Sequence, residues 1–105
     1  RMTKGKQGSR RAHKRIEVRY GLDEPRFIGY SGNLSKSGIM VRAVRVFPPG
    51  SVLNLDLRLP GGTVRVCGVV VWAREGPPQW VTTGRIGMGI TFIESPPELL
   101  AHLDR

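Results

Sequence analysis

Apolar and polar residues alternate along much of the chain, and a period of two is typical of β-strands with one buried face. The clearest case is residues 52–60, where leucines occupy positions 53, 55, 57 and 59 and the residues between them are polar. Residues 15–20 and 85–92 show the same alternation, with inward positions at Ile16, Val18, Tyr20, Ile86, Met88, Ile90 and Phe92. These three segments are therefore predicted to be half-buried strands.

Three further segments, at residues 27–34, 38–44 and 63–72, complete a set of six predicted strands. Glycine and proline separate the six segments, as in the stretches FPPG, LPGG and EGPP. Short strands joined by short turns are typical of antiparallel barrels. The expected fold class is mainly all-β, in the form of a six-stranded antiparallel barrel.

The alternation stops near the C-terminus, where residues 95–105 (SPPELLAHLDR) have the pattern of a short α-helix. Ser95 is suited to the N-cap, Pro96 to the first helical position and Glu98 to the capping-box position. The apolar residues that follow lie on one side of such a helix: Leu99, Leu100 and Leu103. One short C-terminal helix is predicted.

The length of 105 residues fits one domain, and 39% apolar residues are enough for one hydrophobic core. No run approaches the roughly 20 apolar residues that a membrane-spanning helix needs, and the charged N-terminus does not resemble a secretory signal. The single cysteine, Cys67, cannot form an intramolecular disulfide and is expected to be a small buried apolar residue. These features favour a soluble protein of the cytoplasm.

Positive charge is concentrated at the N-terminus. The net charge is +9, and residues 1–19 hold eight Lys and Arg with one acid, which leaves nine cations and seven acids in the rest of the chain. Such a block is either a solvated tail or a contact with phosphates. Residues 1–9 have no apolar anchor, so we expect a flexible basic arm there, followed by the barrel domain with its C-terminal helix over residues 10–105.

The sequence contains no constellation typical of an enzyme. Its eight acids are scattered, and its two histidines, His13 and His102, lie near opposite ends. The glycine-rich stretch GRIGMG leads into a predicted strand rather than a helix, so it is not a dinucleotide-binding or P-loop motif. We expect no catalytic residues, no metal site and no cofactor.

Two polar segments could form a ligand site together. Asn33 to Gly38 (NLSKSG) lies between two predicted strands and, taken alone, reads as a turn. Arg11 and Arg15 share strand parity, as do Asn33 and Ser35. A barrel that brought these segments together would place two guanidinium groups opposite an amide and a hydroxyl, with Gly38 leaving room for a ligand near the backbone.

These segments resemble the signature of the PilZ domains, bacterial receptors for cyclic di-GMP. That signature is RxxxR followed by [D/N]xSxxG, and residues 11–15 (RAHKR) and 33–38 (NLSKSG) match it in order. The stretches GVVVW and GMGITF resemble the family's later strands, so the likeness extends from about Arg10 to Phe92. It implies the following ligand-binding residues: Arg10, Arg11, Arg15, Asn33, Ser35, Gly38 and Trp72.

A second RxxxR, at residues 15–19, overlaps the first. The family's arginines lie at the entry to the first strand, whereas Arg19 would lie inside the strand and near Glu17. The pair Arg11 and Arg15 is therefore preferred. Arg10 precedes the motif, and the resemblance suggests that an arginine at this position helps to hold a second ligand molecule.

The resemblance implies a non-enzymatic sensor domain that binds cyclic di-GMP. It would couple the second messenger to a partner protein by ordering its N-terminal RxxxR segment. Two alternatives stay open. One is a small barrel that binds single-stranded nucleic acid or RNA through the basic arm, which predicts exposed aromatic residues on a sheet face; with only seven aromatic residues in the chain, nucleic acid is the less favoured partner. The other is a PilZ scaffold that acts only through protein contacts.

Overall fold

Six antiparallel strands form a closed barrel. The structure, a computed structural model, describes residues 15–83 and 85–103, without the side chain of His102. Its elements are β1 (Ile16–Gly21), β2 (Phe27–Leu34), β3 (Gly38–Arg42), β4 (Val52–Leu59), β5 (Gly62–Arg74), a 3₁₀ turn (Pro78–Trp80), β6 (Gly87–Glu94) and α1 (Pro97–Leu103). The predicted six-stranded barrel with a short C-terminal helix is confirmed.

The strand order around the barrel is β1-β2-β3-β6-β5-β4, and β1 pairs with β4 to close it. The first three strands follow each other as a meander, and β4 and β5 form a long hairpin that is paired from Val52↔Val69 to Leu59↔Gly62. The last strand, β6, lies between β3 and β5. Each of the six described strands therefore has a pairing partner on both sides, which removes the main route to edge-to-edge aggregation.

The barrel interior is filled by the alternating apolar residues. Leu53, Leu55 and Leu57 are fully buried, and Val18 and Tyr20 on the neighbouring β1 are also fully buried. The inward positions predicted for residues 85–92 are buried as well: Ile86, Met88, Ile90 and Phe92. The alternation therefore gave the correct inward face for each of these strands, because burying one apolar side chain contributes about 1.5–3 kcal/mol and a one-residue slip would expose them all.

The C-terminal helix begins one residue later than the sequence predicted. The amide of Leu100 donates to the carbonyl oxygen of Pro96 at 3.2 Å, so Pro96 precedes the first helical residue and Pro97 occupies that position. The hydroxyl of Ser95 does not cap the helix; it donates to the backbone carbonyl of Lys36. Leu99 and Leu103 join the core, whereas Leu100 is exposed.

Two smaller expectations were wrong. Cys67 is half-buried on the outer face of β5, because the inward positions of this strand are taken by Val66, Gly68 and Val70. The third strand ends at Arg42 rather than at residue 44. Within the described ranges, no helix has the length and apolar character needed to cross a membrane.

Candidate ligand-binding site

The NLSKSG segment forms the tight turn between β2 and β3. The amide of Ser35 donates to the carbonyl of Gly38 at 3.0 Å, and the Ser35 hydroxyl donates to the same oxygen at 3.3 Å. The hydroxyl also accepts a hydrogen bond from the amide of Ser37 at 3.3 Å. Ser35 therefore stabilises the turn with its side chain, as serine commonly does, while it stays half-exposed at the edge of a cleft.

Gly38 is required by the close approach of β6. A Cβ atom at this position would lie 2.5 Å from the carbonyl oxygen of Ile90, which is a backbone atom that cannot move aside without breaking the β3–β6 pairing. The turn is also tied to β6 by the amide of Phe92, which donates to the carbonyl of Ser37 at 2.9 Å. The position of the turn is thus fixed by a strand that is distant in sequence.

A bulge in β2 turns Asn33 outward. The pairing register with β3 shifts between Tyr30 and Asn33. The hydroxyl of Ser31, which is only 1% exposed, donates to the carbonyl of Asn33 and accepts a hydrogen bond from its amide, both at 3.2 Å. Ser31 was not identified from the sequence, although a polar residue at an inward position of a strand is a signal of this kind.

Trp72 covers a glycine on the neighbouring strand. It lies opposite Gly89, after a bulge in β5 between Val70 and Trp72, and its indole occupies the space where a side chain of residue 89 would be. The indole is 42% exposed. Trp72 is therefore a surface residue with one face on the barrel and one available to a ligand.

These features meet in one cleft of about 250 Å³ on the outer face of the barrel. Four of the predicted site residues line it, from three different strands and one turn. Its full lining is Asn33, Ser35, Gly38, Ile39, Met40, Val71, Trp72, Gly89 and Ile90. The structure thus brings Asn33, Ser35, Gly38 and Trp72 together, which sequence parity alone did not establish.

Arg15 immediately precedes β1 and contacts Tyr30 of β2, the strand that carries Asn33. Its guanidinium carbon lies 5.6 Å from the centroid of the Tyr30 ring, a distance typical of a cation–π contact. Arg19, in contrast, is paired with Glu17 at 3.2 Å and lies opposite Asp56 of β4. The predicted residues Arg10 and Arg11, and the basic arm at residues 1–9, lie outside the described residues.

Tyr30 and Arg42 belong to the same surface and were missed by the sequence reasoning. They lie directly opposite each other on β2 and β3, and Tyr30 is 41% exposed. The Arg42 guanidinium lies against Gly32, the glycine within the β2 bulge. Their signal in the sequence was weak, because an aromatic or arginine at an outward strand position is common.

The outer face of β1, β4 and β5 carries a different arrangement of charge. Glu17 contacts both Arg19 and Arg58. Asp56 accepts a hydrogen bond from Arg65, with 3.2 Å between Oδ2 of Asp56 and Nη2 of Arg65. The hydrogen bond to Asp56 raises the pKa of Arg65. The positive and negative charges on this face therefore largely neutralise each other.

No group of three or more potential metal ligands occurs within the described residues.

The whole sequence was compared with known proteins. The family model described as PilZ domain matches residues 6–105. The chain belongs to the PilZ domain family. PilZ domains are binding and regulatory modules rather than catalysts, and the family is associated with cyclic di-GMP and with protein partners.

Solved structures support the PilZ fold. The structure of the Bacillus subtilis inhibitor of motility, MotI/DgrA, is similar to this chain with a TM-score of 0.70 and 22% sequence identity. The similarity covers 95% of this chain and 49% of the other, so this PilZ domain spans about half the length of that protein. None of the curated proteins matches the sequence.

Proposed function

We propose that this PilZ domain binds cyclic di-GMP in the cleft between the β2–β3 turn and Trp72. The observation that supports the proposal is the convergence of Asn33, Ser35, Gly38 and Trp72 on one cleft, with Arg15 on the same outer face. Each residue type suits a part of this ligand, which carries two phosphates and two guanines.

The roles follow from the chemistry of each side chain. The exposed face of Trp72 stacks on a guanine, since base–aromatic stacking is worth about 1–3 kcal/mol. Asn33 and Ser35 offer an amide and a hydroxyl that hydrogen-bond a guanine edge. Arg15, together with Arg11, supplies planar guanidinium forks that bind a phosphate or the O6 and N7 atoms of guanine.

Binding would act on the N-terminal segment. Fixing the six backbone residues 10–15 costs roughly 6–12 kcal/mol, and four to six charge-assisted hydrogen bonds return about 1.5–3 kcal/mol each. Because the two sums are comparable, the segment can switch between two states as ligand concentration changes. We propose that a partner protein in the bacterial cytoplasm responds to this switch.

The test is a calorimetric titration of the whole chain with cyclic di-GMP, with cyclic di-AMP as the control ligand. We expect binding of cyclic di-GMP and much weaker binding of cyclic di-AMP. Two ligand molecules per chain are expected if Arg10 helps to hold a second molecule. A stoichiometry of one at saturation would contradict that role for Arg10 but not the proposal itself.

A second titration addresses nucleic acid, because Tyr30 and Trp72 are exposed aromatic residues on the barrel surface. A pocket for two phosphates should show a shallow dependence on salt, whereas an arm that neutralises many backbone phosphates loses orders of magnitude in affinity between low and moderate salt. Tighter binding to an oligonucleotide than to cyclic di-GMP at physiological salt would contradict the proposal. Absence of binding to either ligand would favour a PilZ scaffold that acts through protein contacts.

A further inference from the structure

The charged side chain of Arg42 packs against the barrel surface. It is the last residue of β3, on the outer face, and it lies opposite Tyr30. The nearest atoms to an ideal Cβ on Gly32 are those of the Arg42 guanidinium, at 3.6–4.0 Å. The side chain therefore lies along the barrel surface over the β2 bulge instead of extending into solvent.

One polar atom of this side chain lacks a partner among the described residues. The Nε atom of Arg42 is buried and has no hydrogen-bond partner in the part of the chain that the structure describes. None of the ion pairs among the described residues includes Arg42 or Arg15. A buried guanidinium donor without an acceptor costs free energy, so a shift of the side chain that brings Nε to a ligand acceptor recovers that cost.

A second guanidinium, that of Arg15, contacts the neighbouring part of β2. Ile16 of β1 lies opposite Ser31 of β2, so Arg15, one residue earlier, is level with Gly32. Arg15 contacts the Tyr30 ring, and Arg42 lies opposite Tyr30 on β3. Because Gly32 has no side chain of its own, the Arg42 guanidinium lies directly against the backbone there.

We propose that Arg42 and Arg15 form an anion-binding pair around Gly32 that holds a phosphate group of the ligand. The proposal rests on cyclic di-GMP binding in the adjacent cleft. Arginine is suited to this task because its planar fork binds phosphate through two parallel hydrogen bonds. The cleft beyond Asn33 supplies neutral groups and an aromatic face, which suit a base, whereas the surface at Gly32 carries two guanidinium groups beside the Tyr30 ring.

Calorimetry with three variants tests the pair. Arg42→Gln keeps the length and polarity of the side chain, Arg42→Lys keeps its charge, and Arg26→Gln is the control because Arg26 is an exposed arginine paired with Glu24. Losing a charge-assisted hydrogen bond should raise the Kd of Arg42→Gln by about 10- to 100-fold. Arg42→Lys should lie between this variant and the wild type, and Arg26→Gln should bind like the wild type.

Phosphorus NMR of the bound ligand separates a phosphate contact from a base contact. We expect Arg42→Gln to shift a ³¹P resonance of bound cyclic di-GMP, and Asn33→Ala to shift guanine proton resonances instead. Equal Kd values and unchanged ³¹P shifts for Arg42→Gln would overturn the inference, even where Arg15→Ala and Ser35→Ala weaken binding. Circular dichroism of each variant shows that the barrel is intact.

Titration with inorganic pyrophosphate tests anion binding by the arginine pair independently of cyclic di-GMP binding. The Nε–Hε resonance of Arg42, identified by its loss in Arg42→Lys, should shift as pyrophosphate is added. A shift without binding of cyclic di-GMP would support the anion pair and contradict the proposed function. No shift, together with unimpaired binding by Arg42→Gln, would overturn the anion pair alone.

Discussion

The indole of Trp72 lies over Gly89, its pairing partner on the next strand, and fills the space that any side chain at position 89 would need. Because residue 89 has no side chain, the indole can pack close to the backbone of β6. The exposed face of the indole forms one wall of the candidate cleft. The identity of residue 89 consequently controls the shape of the cleft through the position of the Trp72 indole.

Gly89→Ala should weaken binding of cyclic di-GMP by displacing Trp72. The added Cβ would lie 2.5 Å from Cε2 of the indole, so the ring must move. We expect a loss similar to that of Trp72→Ala, about 1–3 kcal/mol of stacking free energy. Trp72 fluorescence in a Trp80→Phe background reports the displacement. Thr91→Ala, at an exposed position of the same strand, is the control and should leave both the emission and the affinity unchanged.

Gly38→Ala should destabilise the barrel. Its Cβ would lie 2.5 Å from the backbone oxygen of Ile90, and we expect the free energy of unfolding to fall by about 1–3 kcal/mol, the usual range for overpacking. Gly61→Ala is a matched control, because nothing lies within 4 Å of a Cβ at that turn position. Urea denaturation measures both, and equal midpoints for the two variants would contradict the steric role of Gly38.

Arg15→Ala should weaken binding of cyclic di-GMP by roughly 2–5 kcal/mol, the range for removing one partner of a desolvated charge pair, with Arg11→Ala showing a similar loss. Arg19→Ala should bind normally, because Arg19 is engaged by Glu17 on a different part of the outer face. Calorimetry gives the affinities. Losses in Arg15→Ala and Arg19→Ala, with normal binding by Arg11→Ala, would instead show that residues 15–19 form the ligand-binding RxxxR.

Hydrogen exchange should reveal the proposed switch. On addition of cyclic di-GMP we expect new protection of amides at residues 10–15 and 33–38, and none before Ser9. Extending order through residues 1–9 would cost roughly a further 9–18 kcal/mol of backbone entropy, and that segment offers few groups to offset it. Unchanged exchange at residues 10–15 in the presence of bound ligand would exclude the switch.

The stability of the barrel should fall at high pH because of Tyr20. Burial raises the pKa of Tyr20 to about 12, an effect that the nearby Arg45 guanidinium partly opposes, and the hydroxyl donates to the carbonyl of Arg45. The ordinary tyrosine pKa is about 10, so the unfolded chain loses this proton first. The stabilisation, about 2–3 kcal/mol, is complete below pH 10 and is lost as the pH rises towards 12.

Urea denaturation at several pH values between 8 and 11.5 measures this dependence. In Tyr20→Phe the part of the pH dependence due to Tyr20 should disappear, although the variant also loses one hydrogen bond. An identical decline in the wild type and in Tyr20→Phe would show that other groups cause the alkaline instability.

Local pattern was sufficient for the strands and for the faces they bury. The alternation at residues 52–60 allows only one inward face, since the opposite face would bury Asp56 and Arg58 and expose four leucines. The helix start was misplaced by one residue because Ser95 has a tertiary partner, the carbonyl of Lys36, that no local pattern encodes. Cys67 was misassigned because this part of β5 is a nearly continuous apolar run, so alternation does not show which residues face inward.

The sequence by itself determined the barrel, its inward faces and the motif residues that the PilZ family shares, because each depends on residues close together in the chain. Only the tertiary structure decided which of those residues meet. Asn33 and Trp72 line one cleft because bulges in β2 and β5 adjust their pairing with β3 and β6, and because β3 pairs with β6, which lies far from it in sequence. The position of Arg42 beside Gly32 also depends on tertiary structure, because the pairing of β3 with the bulged part of β2 determines which residues an outward side chain contacts.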